Sequence, residues 1–371
     1  MATTGLTTTT ACLVEWLWDL PTLKKMKTHK NLYQSLCSKE NLELAFRKAR
    51  KRKTLKPYVI EFEQNKEQNL ISLRQQLLDE TYYPKPLKTF IIREPKTRKI
   101  RKSYFVDRIV HHAICNILEP FFEKTFIYDS FANRKGKGTL NAVKRFDKFK
   151  LKASKNNSRK CYVLKADISH YFDEVDHNTL LNILKKKVCD KRFLGLITKV
   201  LNNHSKGKGM PLGNMTSQFF ANIYLNELDQ FVKHKLKGKY YIRYVDDFVI
   251  LEDNKEILES YLNKINQFVK DNLKLNLHPN KSKILLLGKG ITFLGYRIFY
   301  FHKLLRKSNL KNMSRQLTKK NYDSLYEYLD GWFSYANHAN TFNLRKKVGK
   351  FVDCNFKGKI SLLEIDRLVR A

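Results

Sequence analysis

The sequence predicts an α+β fold, on three observations. Strand-like and helix-like segments alternate between residues 161 and 300. Two short strand-like runs, 89–92 and 98–101, flank a turn at Glu94-Pro95-Lys96-Thr97 and lead into a helical stretch over 106–122. Residues 308–370 read as helix, basic and aromatic, with Leu325, Leu329, Trp332, Phe333 and Tyr335 marking a packed helical subdomain rather than a tail.

At 371 residues the chain has room for two or three domains, or one large body with subdomains. With 42% hydrophobic and 12% aromatic residues it can bury a core, which excludes wholesale disorder. Lys and Arg number 72 against 35 Asp and Glu, a formal net charge of +37. Such a chain repels itself unless a polyanion lies against it. Nucleic acid is therefore the expected partner, with an anionic membrane surface a distant second. No run of eighteen apolar residues occurs, so no membrane-spanning helix is expected. The cysteines, Cys12, Cys37, Cys115, Cys161, Cys189 and Cys354, form no CxxC pair, which excludes a zinc ribbon or a thioredoxin motif. They read as reduced core thiols of an intracellular protein. The apolar patch at 11–20 is broken by Glu15 and Asp19 and preceded by no basic residue, so it is a poor signal peptide. Residues 1–28 are expected to be a disordered tail and the protein cytoplasmic.

A first helix is expected over 31–52, where Leu32, Leu36, Leu42, Leu44 and Phe46 keep a rough helical period. Its end, Arg47-Lys48-Ala49-Arg50-Lys51-Arg52-Lys53, fits a solvated face as well as it fits phosphate contact. A second helix over 66–78 stops at Tyr82-Tyr83-Pro84-Lys85-Pro86. On the 106–122 helix, Ile109, Val110, Ala113, Ile114, Ile117 and Leu118 form the apolar face. His111, His112 and Cys115 lie on that helix, but two adjacent histidines cannot face one ion, so packing is the better reading. The basic loop over 130–138 contains glycines but lacks Walker spacing, so it is not a nucleotide P-loop.

Three segments carry the chemistry. Residues 161–168 form an apolar strand, buried through Val163, Leu164 and Ile168, with Asp167 at its edge and Tyr171-Phe172 heading a helix through Leu180, Leu181 and Leu184. A lone strand-end Asp is more often a turn former than a catalyst. In 239–252, KYYIRYVDDFVILE, apolar residues flank Asp246-Asp247 as in a hairpin with two acids at its turn. Adjacent carboxylates in a buried hairpin repel each other and resist desolvation, unless a cation neutralises them. Hard divalent cations take carboxylate and phosphate oxygens together. With Asp167 converging, three carboxylates can hold two metals, one activating a hydroxyl and one stabilising a leaving pyrophosphate. That is nucleotidyl transfer. The third segment, Gly209-Met210-Pro211-Leu212-Gly213-Asn214-Met215-Thr216-Ser217-Gln218, is a tight loop before a helix expected over 219–235, with Thr216 or Ser217 suited to its N-cap. Alone it would be an ordinary loop leading into a helix.

Taken in order, these motifs resemble reverse transcriptases over roughly residues 29–350: a basic strand pair, Asp167 to Phe172, Gly209 to Gln218, Tyr244-Val245-Asp246-Asp247, Leu277 to Ile284, and Phe293-Leu294-Gly295-Tyr296. The resemblance implies a right-hand polymerase with N-terminal helices and fingers over 29–160, a ferredoxin-like palm with inserted fingers helices over 161–300, and a helical thumb over 301–371. It implies that Asp167, Asp246 and Asp247 are the catalytic acids, holding two Mg²⁺ ions, or Mn²⁺ in their place, with the backbone carbonyl of Ile168. Phe172 matches the aromatic gate against a ribose 2′-hydroxyl, with core packing as the plainer reading. Lys281 matches the lysine that protonates pyrophosphate, and Lys283 competes for that role. Arg93, Arg98 and Arg101 fall where the fingers grip the triphosphate, with no choice among them, and Gln218 joins the nucleotide-binding set. Phe293, Leu294, Gly295 and Tyr296 resemble the primer grip.

The third segment narrows the resemblance. Intron-encoded reverse transcriptases usually show Gln-Gly there and end the motif in Ser-Pro. Leu212-Gly213 and Ser217-Gln218 are instead similar to the enzymes of diversity-generating retroelements, known for misincorporation opposite template adenines. The resemblance implies template RNA, a primer strand and dNTPs as partners, with a small basic accessory protein among them. A group II intron-like or defence-associated enzyme, and a non-catalytic maturase-like RNA-binding protein, are the alternatives. Retention of all three acids argues against the last.

Overall fold

The computed structural model describes residues 28–93, 97–317, 322–355 and 361–370. The tail expected over 1–28 therefore falls almost wholly outside the described residues, as do Cys12 and Glu94-Pro95-Lys96.

The helix expected over 31–52 is two helices, α1 (Leu32–Leu36) and α2 (Lys39–Arg50). Ser38 interrupts it because its hydroxyl accepts from the Asn41 N–H, an N-cap that restarts the helix. A helix not anticipated from sequence, α3 (Pro57–Gln64), opens on a proline at its first turn, where a missing N–H costs nothing. α4 (Lys66–Leu78) lies where expected. After the antiparallel hairpin of β1 (Lys88–Ile92) and β2 (Arg98–Lys102) comes α5 (Phe105–Phe122), the spine of this half. Ile109, Val110, Ala113 and Ile114 are fully buried in one core with Ala45, Ala49, Val59 and Leu77. β1 by contrast is exposed along its whole length. The basic loop leads to α6 (Thr139–Ala153).

The central part runs β3 (Tyr162–Asp167), α7 (Tyr171–Glu174), α8 (His177–Lys185), α9 (Lys191–Asn202), α10 (Met215–Gln230), β4 (Tyr240–Tyr244), β5 (Asp247–Glu252), α11 (Lys255–Leu273) and β6 (Lys283–Leu286). The sheet order is β4-β5-β3-β6, every neighbour antiparallel. A βαββαβ chain in that order is the ferredoxin-like arrangement. Side chains alternate across the sheet. Leu164, Ala166, Tyr241, Phe248 and Ile250 join a core with α10 and α11, whereas Val163, Ile242, Val249 and Leu251 join one with α6.

Two expectations change here. The helix expected from Tyr171 to Leu184 breaks at Val175-Asp176, because the Asp176 carboxylate accepts from the Thr179 N–H and starts α8 afresh. The helix after the third segment begins at Met215, four residues before Phe219, and ends in a π turn at Phe231–Lys235. Thr216 and Ser217 thus lie buried inside its first turn, and Asn214 takes the N-cap position.

The chain ends in a three-stranded sheet, β7 (Ile291–Phe293), β8 (Tyr296–Ile298) and β9 (Lys303–Leu305), followed by α12 (Lys307–Leu317), α13 (Tyr322–Ala336), α14 (Phe342–Asn355) and α15 (Leu362–Arg370). Leu325, Leu329, Trp332 and Phe333 are buried there, as a packed subdomain requires. Of the cysteines, Cys37, Cys115 and Cys161 are core thiols, but Cys189 and Cys354 are exposed, which corrects the expectation that all are buried. No helix among the described residues is long and apolar enough to cross a membrane. The mixed helix-and-sheet architecture is consistent with a right-hand polymerase.

Candidate active site

The register of β3 against β5 sets Asp167 directly opposite Asp247. Asp246 occupies the turn between β4 and β5, behind Val245, which stands in the left-handed region at φ 55°. Ile168 N–H donates to the Asp246 carbonyl at 3.4 Å, closing the turn onto the end of β3. His278 N–H donates to the Asp167 carbonyl at 2.7 Å, so the far side of β3 is pinned as well. The Asp246 carboxyl is raised from 3.8 to about 6, first by burial, against a partial opposing pull from its own backbone N–H. The Asp167 and Asp247 carboxylates, and a hydrogen bond shared with Asp167, supply the rest of that rise.

Lysines answer these charges. Lys281 Nζ lies 2.5 Å from Asp167 Oδ2, whereas the backbone of Lys283 pairs with Lys165 in the sheet. Lys165, on the same face of β3 as Asp167, places Nζ 3.8 Å from Asp247 Oδ1 and donates to the Thr292 carbonyl at 3.0 Å. It ties the acids to the β7–β8 hairpin. The alternation of β3 puts residues two apart on one face, so that signal was present in the sequence. Among the described residues, no three His, Cys, Asp or Glu side chains form a closed metal cage. The donors that do converge are oxygens only, which suits a hard cation with open positions for substrate.

Phe172, half-buried in α7, meets Tyr171 with ring centroids 5.3 Å apart, and its carbonyl accepts from Met210 N–H at 2.6 Å. The acid strand and the third segment are therefore joined at this residue. Gly213, at φ 109°, lies under the β1–β2 hairpin, where a Cβ would come within 3.0 Å of Ile100 Cγ2. Arg101 N–H donates to the Leu212 carbonyl at 3.3 Å, and its guanidinium contacts the His204 imidazole. Arg93 and Arg98 stand exposed at the other end of the hairpin, so Arg101 alone of the three is brought against this loop. In the β7–β8 turn, Leu294 (φ 45°) and Gly295 (φ 93°) are both left-handed, as a tight hairpin requires. Phe293 and Tyr296 are buried beneath them. The Phe293 ring packs 5.5 Å from Phe146 and the Tyr296 hydroxyl donates to the Tyr335 carbonyl.

Residues 88–298, more than half of the chain, match the family described as reverse transcriptase (RNA-dependent DNA polymerase). The chain belongs to the reverse transcriptase family. By family it is an RNA-directed DNA polymerase, of a kind that works with divalent metal ions. It is 28% identical over 268 residues to protein YkfC of Escherichia coli K12, covering 61% of this chain and 70% of that protein. It is 31% identical over 185 residues to the group II intron-encoded protein LtrA of Lactococcus lactis subsp. cremoris, covering 47% of this chain and 30% of LtrA. Nuclear intron maturase 1 of Arabidopsis thaliana is 33% identical over 114 residues, covering 30% of this chain and 15% of the maturase. Among solved structures, apo telomerase from Candida tropicalis, truncated from its C-terminal domain, aligns with TM-score 0.47 and 14% identity, covering 65% of this chain and 60% of that one.

This reverse transcriptase also has a basic cleft of about 830 Å³, one wall of which is the charged run at the end of α2. Lys48, Lys51, Arg52 and Lys53 at the end of α2 face Arg108, Lys135 and the first turn of α10, where Gln218 sits. Among the described residues, no acidic side chain lines it. Burial above all, then Lys53, Lys48 and Arg108, hold the His112 imidazole down to about 4. Gln218 thus faces this cleft. A second feature the sequence did not yield is Arg243, fully buried against Asp229 beneath the acidic turn.

Proposed function

We propose that this reverse transcriptase copies RNA into DNA at a site where Asp167 and Asp246 hold two Mg²⁺ ions, or Mn²⁺ in their place, with Asp247 beside them. The observation that carries this reading is the meeting of three carboxylates, one of them driven up to about 6 by burial and by the other two. Divalent ions bound there would activate the primer 3′-hydroxyl and neutralise the leaving pyrophosphate. The Ile168 carbonyl supplies a further oxygen. Lys281, displaced from Asp167 when a cation arrives, is left within reach of the pyrophosphate as a proton donor. Phe172 lies under the sugar of the incoming dNTP, and Arg101 approaches its phosphates from the hairpin, with Arg93 and Arg98 further along the same hairpin as the other cations of that grip. The primer strand meets the backbone of Leu294-Gly295, since Phe293 and Tyr296 are spent in the core. Template RNA lies along the basic cleft past Gln218. In this reading residues 29–160 serve as fingers, 161–300 as palm and 301–371 as thumb, with the β7–β8–β9 sheet bridging the last two in a cytoplasmic enzyme.

Primer extension on an RNA template with dNTPs and Mg²⁺ tests it. Asp246→Asn should reduce synthesis to background while leaving the melting temperature and RNA affinity close to wild type. Near-normal synthesis by that variant would sink the assignment.

A finer reading rests on Leu212-Gly213 and Ser217-Gln218: the enzyme makes mutagenised cDNA in a diversity-generating retroelement, with a small basic accessory protein. Its named relatives include an intron-encoded protein and a maturase, which favour the group II intron-like alternative. Sequencing cDNA from a template of all four bases separates them. Errors concentrated opposite adenine support the first, and errors spread evenly support the second.

A further inference from the structure

We propose that Arg243 is a positioning residue that holds the Val245–Asp246 peptide in the one orientation that presents Asp246 to the metals; this rests on the metal-site reading above. Val245 is β-branched and stands at φ 55°, a conformation such residues avoid. Something must hold it there. On one side of the guanidinium, Arg243 Nε and Nη2 grip Asp229 Oδ1 and Oδ2 at 2.7 and 2.6 Å, and Nη1 donates to Asn222 Oδ1 at 3.2 Å. Asp229 and Asn222 lie seven residues apart on α10, two turns along one face of a rigid support. On the other side, Nη1 donates to the Val245 carbonyl at 3.1 Å. That carbonyl belongs to the peptide leading into Asp246, while the peptide leaving Asp246 is held by Ile168 N–H. Both peptide planes flanking the acid are thus fixed, one to α10 through Arg243 and one to β3.

Core packing alone does not explain the pair. Replacing a buried ion pair with well-packed neutral groups is often neutral or stabilising. An apolar residue at 243 would have nothing to donate to the Val245 carbonyl.

The test compares wild type, Arg243→Met combined with Asp229→Asn, and that double variant carrying Val245→Gly. Asn at 229 keeps an acceptor for the Tyr241 hydroxyl, which donates to Asp229 Oδ1 at 2.8 Å, so no buried charge or hydroxyl is orphaned. The readouts are thermal midpoint, Mn²⁺ affinity by electron paramagnetic resonance without RNA, and the Mg²⁺ concentration for half-maximal extension. The double variant should fold, and its Mn²⁺ affinity should fall about tenfold, the scale typical of losing an outer-shell partner. Its Mg²⁺ requirement should rise in step. Val245→Gly should restore part of both, because glycine adopts positive φ freely. A folded double variant with wild-type Mn²⁺ affinity, or one that loses thermal stability alone, overturns the proposal. Should the double variant fail to fold, Arg243→Lys keeps the charge against Asp229 and is read by the same measurements. If wild type binds Mn²⁺ but makes no DNA, the polymerase reading fails, and the Mn²⁺ comparison still decides the role of Arg243.

Discussion

Phe172 follows Asp167 by five residues and leaves the acid strand at the first turn of α7, with its carbonyl bonded to Met210. A ring there, half-buried rather than sealed in the core, can serve as the floor under a deoxyribose. A 2′-hydroxyl would meet it with neither room nor a hydrogen-bond partner, and both effects penalise a ribonucleotide. Phe172→Ala should raise ribonucleotide incorporation relative to deoxyribonucleotide incorporation, measured with each substrate on the same primed RNA. Pure core packing would instead cost about 3–5 kcal/mol of stability and depress both substrates alike. Partial exposure argues for the lower end of that cost, so the variant should stay folded and the ratio remain readable. An unchanged ratio would leave Phe172 as packing. At this scale the sequence was most informative about charge out of place. Two acids inside KYYIRYVDDFVILE stand out without any structure, because burial makes them expensive. Arg243 sits in that same run, yet its partner Asp229 is fourteen residues away on another element, and no local pattern links the two.

At the scale of elements, helices were legible where a long apolar period existed, as in α4 and α5, and illegible where a single cap decides a boundary. Ser38 and Asp176 each restart a helix through one side-chain bond, a choice that helical periodicity does not register. The β1–β2 hairpin was legible as strands, but its seat on the third segment was not, since that depends on the bare face of Gly213 and on Arg101. The hairpin attachment has a consequence for pH. Burial, and next the Arg101 guanidinium, hold the His204 imidazole down from 6.5 to about 4, with Asp173 pulling the other way and His177 adding to the depression. Because the folded value is the lower one, the neutral ring's contribution is complete above about 6.5. It erodes below that and is lost once pH falls through about 4. His204→Gln keeps an acceptor for Arg101 that does not titrate. Melting temperatures followed from pH 7 to 5 should fall less steeply in this variant than in wild type. Identical slopes would mean that His204 does not govern how the hairpin is held.

At the scale of the whole molecule, a formal charge of +37 sets up a field that the protein alone cannot satisfy, and the basic cleft concentrates it, with only Arg134 of its described lining cations ion-paired to a carboxylate, that of Glu123. Binding of single-stranded RNA there should release about 0.7 counterion per phosphate neutralised. Six phosphates met by the cleft cations would give a slope of about −4 in log affinity against log salt, so affinity should fall roughly 10²–10³-fold between 50 and 200 mM salt. Lys51, Arg52 and Lys135 are exposed cleft residues, so replacing all three with Gln removes charge without opening the core. The triple variant should reduce the slope by about 2, three contacts at 0.7 each, and weaken RNA binding most at low salt. Its melting temperature should hold or rise, because like charges crowd the cleft in the free protein. Loss of affinity with the wild-type slope retained would mean that these cations shape the cleft rather than contact phosphate. A flat salt response in the wild type would remove nucleic acid as the reason for the charge.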